Sequence, residues 1–444
     1  MRLESPFARI ALFSVLFGTA LGALNAQQPQ KLDAGSIMRA HMMLRQAYSD
    51  VKDHYYDPKF RGLNLEANFQ KSDAGLNVAT SNSEAFRIIA AFLYALQDSH
   101  TFFIPPSRVS RMDRGFRMEM IGDACFITHL RPGSDAASKL KIGDRVLLMD
   151  GFNINRDSFH DMQYFFETLL PAPELELVVQ NPAGERRKEK VTAAFRTGKN
   201  VYDISNGASD FDYTRLILED QNDDHLHRQR TLESGDTMIW KMPWFYADSD
   251  EINAIFGKAA KHKTLILDLR GNPGGSVETL RTMLSHVFEH EVTIADRVSR
   301  KNQKPETAKP TKGNLFTGKL IVLIDSRSAS ASELFARVVQ IEKRGTVIGD
   351  RSAGAVMEAR HYSESVGLDD KVFYGFSITS ADLVMTDGKS IERVGVTPDT
   401  LMLPTAKDIA AGEDPVLVKA AELAGLNLDP IAAGKLLPYE WPPI

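Results

Sequence analysis

The chain reads as an α/β protein with a helical N-terminal region and a smaller β-rich module ahead of its core. Three observations carry that reading. Apolar residues recur at three- and four-residue spacing through residues 33–97, the period of helices that bury one face. Between about Arg111 and Arg196 the texture changes to short apolar or alternating runs broken by Gly, Pro and Asp-Gly, as strands and tight turns require. From Asp236 to about Pro404 continuous apolar runs alternate with amphipathic ones, the pattern of a largely parallel sheet covered by helices. At 444 residues the chain exceeds one ordinary core, so two or three domains are expected.

Taken in order, the first 26 residues stand apart. Arg2 and Arg9 precede an apolar run from Ile10 to about Leu24, and Ala26 is a small residue suited to cleavage. The run is short for a membrane span and is followed by "QQPQKLD", so it reads as a secretory signal peptide with no stable span after its removal. The single cysteine, Cys125, excludes an internal disulfide. An exported chain without disulfides suits a bacterial envelope, periplasmic or extracellular. The net charge of -5 and the lack of a long basic stretch argue against nucleic acid as a partner.

In the helical region, "IMRAHMMLRQAYSDVKDHYY" and "SNSEAFRIIAAFLYALQD" carry the helical spacing, the second with Ser83 or Asn82 as its cap. In the β-rich stretch, "ACFITHL" is a strand and "RPGSDAASK" a turn followed by a short helix. "LKIGDRVLLMDG" is a strand between two turns, and "ELELVVQNPAGERRKEKVTAA" a hairpin with Asn-Pro-Ala-Gly at its tip. Residues 198–235 are polar; His225 and His227 there lack a partnering carboxylate or cysteine pattern and read as a solvated loop. In the core, "TLILDL" and "KLIVLID" are buried strands, each followed by a helix, "SVETLRTMLSHVF" and "ASELFARVVQIEK"; "GTVIGD" opens a third unit. The aromatic run Trp240 to Tyr246 either lines a channel or packs in the core.

Three stretches could do chemistry. "LDLRGNPGGS" puts three glycines in five residues between a strand and a helix. Glycines there let backbone N–H groups point at a bound anion, or simply make a tight turn. It lacks the spacing and the Lys-Ser/Thr of a nucleotide-binding P-loop. "DSRSASASELFARVVQ" sets a serine cluster at the next strand-to-helix corner, where a hydroxyl lies beside free helix N–H groups and could serve as a nucleophile forming an oxyanion. Ser330 with Glu333 is equally a capping box. "LQDSHTFF" offers His100 as a general base with Ser99 beside it, and "GKSIERVGVTPD" offers Glu392 to hold an imidazole. Each could instead be a surface group.

In order, "LDLRGNPGGS", "DSRSASASELFA", "VIGDRSAG" and "IERVGVTPD" resemble the C-terminal processing (tail-specific) peptidases and the related tricorn-core peptidases, a serine peptidase family. "LQDSHTFF" resembles the piece that precedes that family's PDZ domain. "GSDAASKLKIGDRVLLMDG" looks like the ligand-groove half of a PDZ domain, and "DIAAGEDPVLVKAAELA" like the family's ending. The resemblance spans most of residues 37 to 425. It implies a ClpP/crotonase-like core of βαβ layers with a PDZ-like domain. It makes Ser330 the nucleophile, with the amide of Ala331 and one from the Gly274–Gly275 pair as oxyanion donors. The processing peptidases take the serine proton with a lysine; here that position falls on Ala355, and no lysine lies between Lys343 and Lys371. The tricorn-like branch instead uses a Ser-His pair and a glutamate, which fall on Ser99, His100 and Glu392. Glu392 would then orient the site, through Ser99 rather than directly on the imidazole. The PDZ-like module would bind a chain terminus by strand addition, with Gly115 and Phe116 in its carboxylate loop, although "RGFRMEM" departs from the common Gly-Leu-Gly-Phe loop.

The expected organisation is a signal peptide (1–26), a helical region carrying Ser99–His100 (27–110), a PDZ-like domain (111–197), a connection (198–235), the α/β peptidase core (236–405) and a helical C-terminal segment (406–444). The expected function is an exported serine endopeptidase acting on unfolded or tail-exposed polypeptides, without metal or organic cofactor. Two alternatives stand: an inactive homologue that binds peptides through its PDZ-like module, and a hydrolase of other acyl substrates.

Overall fold

The computed structural model describes residues 32–106, 110–197, 228–300, 303–367 and 371–441. The expected signal peptide, and His225 and His227, lie outside the described residues. Among those described, no helix is long and apolar enough to cross a membrane. The chain divides into two compact units, each described by itself: residues 1–108 with 157–172 and 359–381, and residues 109–156 with 173–358 and 382–444.

In the first unit, α1 (Ala34–His54), α2 (Leu65–Leu76) and α3 (Asn82–Tyr94) are each capped by a side chain that accepts an orphan helix N–H: Asp33, Asn64 and Ser81. The last corrects the expectation of Asn82 or Ser83. Ser81 has the extended backbone a cap needs, φ -148° and ψ 158°, and its Oγ accepts from Glu84 N. Asn82 and Ser83 already lie inside the helix. The spacing of apolar residues becomes packing: Met43, Leu44, Ala47 and Val51 of α1 are buried, as are Ala85, Ile89, Phe92 and Leu93 of α3. A turn through Asp98 leads into β1 (Phe102–Ile104), which pairs antiparallel with Gly375–Ser377. Phe103 and Phe376, directly opposite, are fully buried.

The second unit opens with an antiparallel sheet, β2 (Phe116–Ile121), β3 (Ala124–Leu130), β4 (Arg145–Met149), β5 (Glu174–Gln180) and β6 (Arg186–Thr192), ordered as numbered. A short helix, α4 (Asp135–Lys139), follows β3. The expected β5–β6 hairpin forms, with Asn181 Oδ1 accepting from Ala183 N and Glu185 N to make the tip.

The α/β sheet of this unit runs β7 (Arg230–Ser234), β8 (Thr237–Lys241), β9 (Thr264–Asp268), β10 (Lys319–Ile324), β11 (Gly345–Gly349) and β12 (Thr400–Leu401); β7 is antiparallel to β8 and the rest are parallel. Its central strands β9 and β10 are buried along nearly their whole length because both faces are covered. Leu265, Leu267, Leu320 and Val322 face one core with residues of α5 (Ser249–Ala259), α6 (Val277–Ser285) and α7 (Ala331–Ile341). Ile266, Ile321 and Ile348 face the other, against Val416, Leu417 and Ala420 of α8 (Pro415–Leu423). The period of two along each strand thus sends alternate side chains into opposite layers. The C-terminal ends of β9 and β10 converge on the two loops that the sequence singled out.

Candidate active site

The loop from β10 to α7 sorts the serine cluster. Ser326 Oγ donates to Met120 O at 2.6 Å, Ser328 Oγ to Leu269 O at 2.8 Å, and Ser332 Oγ to Asn272 O at 2.8 Å. These three hydroxyls tie backbone to backbone, and Ser328 and Ser332 are fully buried. Ser330 differs. It is partly exposed, stands immediately before α7, and has φ +54° and ψ -117°. A non-glycine residue there carries strain of about 1–3 kcal/mol that its surroundings must hold. Ser330 N is held by Ala355 O at 2.9 Å and by Glu333 Oε2 at 3.0 Å. The capping expectation is therefore met in its carboxylate half. Asp325, which the sequence reading passed over, anchors the loop: its Oδ1 accepts from Gly271 N, Arg327 N and Ser328 N at 2.8–3.0 Å.

The glycine loop lies against this corner. Asn272 is fully buried and works in three directions. Its Nδ2 donates to Met242 O, its Oδ1 accepts from Gly274 N and Ser332 Oγ, and its carbonyl accepts from Ala329 N. The amide of Gly274 is thus engaged. Among the described residues no acceptor within the chain takes the amides of Gly275 or Ala331. The role of Gly274 is clearance. It has φ +97°, and a Cβ there would lie 2.6 Å from Ser330 Cβ and 2.9 Å from Ala331 N. Gly274→Ala is expected to displace the corner and lower kcat/KM by at least about 100-fold, the scale of a small misplacement at a reacting centre; the kinetics of the purified variant check it.

Beneath the loop, Arg270 bridges Asp268 and Asp414, each at 2.8 Å, and Lys241 reaches Asp268 at 3.2 Å. Burial would raise the Asp268 carboxyl, but Arg270 and Lys241 outweigh it and hold the group well below the usual carboxylate range. Leaving one of these charges unpaired is costly, so the cluster fixes where the glycine loop begins.

Glu333 joins the serine corner to the turn that follows β11. Its carboxylate is fully buried and accepts from Ser330 N, Ser352 Oγ, Gly354 N and Ala355 N at 2.5–3.0 Å. Burial pushes its pKa up to about 7, and the four donors limit the rise. Ala355, the position matching the family's lysine, thus lies against the backbone of Ser330 but offers only a methyl group. The same turn carries the Glu392 segment: Val356 N donates to Glu392 Oε2 at 2.9 Å, Arg393 N to Gly354 O at 2.7 Å and Val396 N to Ser352 Oγ at 2.6 Å.

Ser99 and His100 lie in the first unit. Ser99 Oγ and His100 Nδ1 are 2.7 Å apart. Asp98, unremarked in the sequence, organises the turn. Its carboxylate accepts from His100 N, Thr101 N and Thr379 Oγ1 through Oδ1 and from the Tyr55 hydroxyl through Oδ2, at 2.7–3.0 Å. Burial lowers the His100 pKa to about 4, with His361 and His160 pushing the same way and Asp98 opposing. The imidazole is neutral across the physiological range.

Gly115 immediately precedes β2 and Phe116 begins it; β2 is an edge strand of its sheet. Gly115 has φ +70°, and a Cβ there would collide with Ser134 Cβ at 2.3 Å, so only glycine fits. Farther along β2, Glu119 pairs with Arg327 of the serine loop at 2.9 Å. The β-rich module is therefore bonded directly to the loop that carries Ser330.

An α/β core with a strained serine beside unengaged backbone amides is the framework of a serine-type peptidase. Residues 238–402 match peptidase family S41, and the chain is a serine-type peptidase. It is 22% identical over 404 residues to the chloroplast carboxyl-terminal-processing peptidase 1 of Arabidopsis thaliana, covering 86% of this chain and 74% of that protein. It is 31% identical over 152 residues to the carboxy-terminal processing protease CtpA of Bacillus subtilis strain 168, covering 34% of this chain and 30% of that one. In fold it resembles mature CPAF, with a TM-score of 0.63 at 15% identity over 84% of this chain and 94% of the other.

Proposed function

We propose that the chain is an exported serine endopeptidase that cleaves unfolded or tail-exposed polypeptides through an acyl-enzyme on Ser330. The observation that carries this is the corner itself: of four neighbouring serines, three spend their hydroxyls on backbone carbonyls, and Ser330 stands strained and accessible at the helix start. In this reading Ser330 Oγ attacks the scissile carbonyl carbon as His100 Nε2 takes its proton. The amides of Ala331 and Gly275 donate to the oxyanion. His100 then protonates the leaving amine, and water hydrolyses the acyl-enzyme with His100 again as base. The Nδ1–H donates to Ser99 Oγ, which selects the tautomer with Nε2 free. Glu392 orients the site through Ser99. The edge strand β2 with its Gly115 loop serves as a PDZ-like groove for a chain terminus, and export rests on the Arg-apolar-small order of residues 1–26.

The substitution of Ala355 for the family's lysine favours one second reading, an inactive homologue that binds peptides. Fluorophosphonate labelling of the purified mature chain separates the two. The peptidase reading expects a single adduct that maps to Ser330 and disappears in Ser330→Ala. No adduct on folded protein would favour the binding protein, or a peptidase held inactive until a partner or an oligomer assembles it.

A further inference from the structure

The aromatic run Trp240 to Tyr246 has two fates. Trp240, Met242 and Phe245 are fully buried, which settles those positions as core. Tyr246 is 60% exposed, and Trp244 is partly exposed. Their rings meet edge to face, with centroids 4.5 Å apart and planes at 87°, an arrangement that braces one ring against the other.

The backbone between them is what places them. Phe245 N donates to Gly274 O at 2.8 Å, and Ser276 N donates to Phe245 O at 2.7 Å. Phe245 and Gly275 form a parallel bridge. The Tyr246 ring is consequently laid along Gly275: a Cβ on that glycine would lie 2.9 Å from Tyr246 Cδ2. Gly275 carries an unengaged amide, and its neighbour Gly274 touches Ser330. A scattered surface aromatic needs no explanation. An aromatic ring laid along Gly275, the neighbour of the glycine that packs on Ser330, is in a different position, because it stands beside the corner where a bound polypeptide would be attacked.

We propose that Tyr246, braced by Trp244, is a specificity-determining residue that receives a large apolar side chain of the polypeptide next to the scissile bond. This rests on the serine peptidase reading and adds its substrate preference. The ring face offers apolar area and no formal charge. A phenol, with an ordinary pKa of about 10, stays un-ionised at neutral pH. Covering the ring removes apolar surface from water on both partners.

The test uses the mature chain, an unfolded casein and mapping of the cut sites by mass spectrometry, with Tyr246→Ala and Tyr246→Phe beside the wild type. The wild type is expected to favour Leu, Met, Phe or Val at one fixed position adjacent to the cut. Tyr246→Ala should slow those cuts by about 10-fold or more while cuts with Ala or Ser at that position change less than about 2-fold, as loss of an apolar wall predicts. Tyr246→Phe should keep the preference, and the rate of fluorophosphonate labelling should be unchanged in both variants. Equal losses at all sites, a fall in labelling, or no apolar preference in the wild type would overturn the proposal. If the wild type itself is not labelled, the catalytic reading fails first and takes this one with it.

Discussion

Under the proposed mechanism, Ser330→Ala and His100→Ala are each expected to lower kcat by about four to six orders of magnitude, because a nucleophile and its base act as one unit and losing either removes the acylation step. Active-site titration and peptide turnover on variants of wild-type thermal stability measure this. Loss of less than about tenfold in His100→Ala would exclude His100 as the base. The pH profile gives a second, independent reading. His100 must be neutral to accept a proton, and its pKa is lowered to about 4. Activity should therefore persist through pH 5 and fall only as the pH approaches 4, instead of declining around 6.5 as an unperturbed imidazole would. The sign for stability follows from the same shift. The unfolded chain takes up the proton first, so this histidine costs stability as pH falls below its unfolded value toward about 4.

Glu333→Ala is expected to be the most damaging substitution outside the reacting groups. It strips the acceptor from Ser352 Oγ, Gly354 N and Ala355 N in a fully buried place, and leaves Ser330 N with Ala355 O alone. An orphaned buried donor costs about 1–3 kcal/mol, so a loss of about 4 kcal/mol or more is expected in chemical denaturation. The strained φ of Ser330 and the turn that carries the Glu392 segment should relax together, so the folded fraction should also lose turnover. Glu333→Gln separates charge from shape. The wild-type carboxyl, raised to about 7, holds its proton more tightly folded than unfolded. Its contribution to stability is therefore present at acid pH and lost as pH rises through about 7. The stability difference between wild type and Glu333→Gln should shrink or reverse across that window, and a constant difference would show that the carboxylate does not titrate there.

Much of the architecture was legible before the structure. The buried strands of the core announced themselves because a sheet covered on both faces leaves no polar positions. The β5–β6 hairpin was legible because Asn-Pro-Ala-Gly admits few backbone paths. Helix ends were less so: Ser81, Asn82 and Ser83 are three consecutive capping types, and only the backbone dihedral of Ser81 chooses among them. The corner that carries Ser330 was visible as a pair of motifs at strand ends. What each group does inside it was not.

Local chemistry is written in the order of residues, so the sequence by itself determined the α/β class, the glycine loop, the serine-bearing corner and the absence of a lysine at Ala355. The tertiary structure decided which serine hydroxyls are already spent, that Gly274 provides clearance while Gly275 keeps a free amide, and that Asn272, Asp325, Glu333 and Asp98 hold the loops. It also separated the buried Trp240 and Phe245 from the exposed Tyr246. The physical reason is common to all of these. Hydrogen-bond partners and burial arise between segments far apart in the chain, as between Glu333 and Gly354 or Asp98 and Thr379, and no local pattern records them.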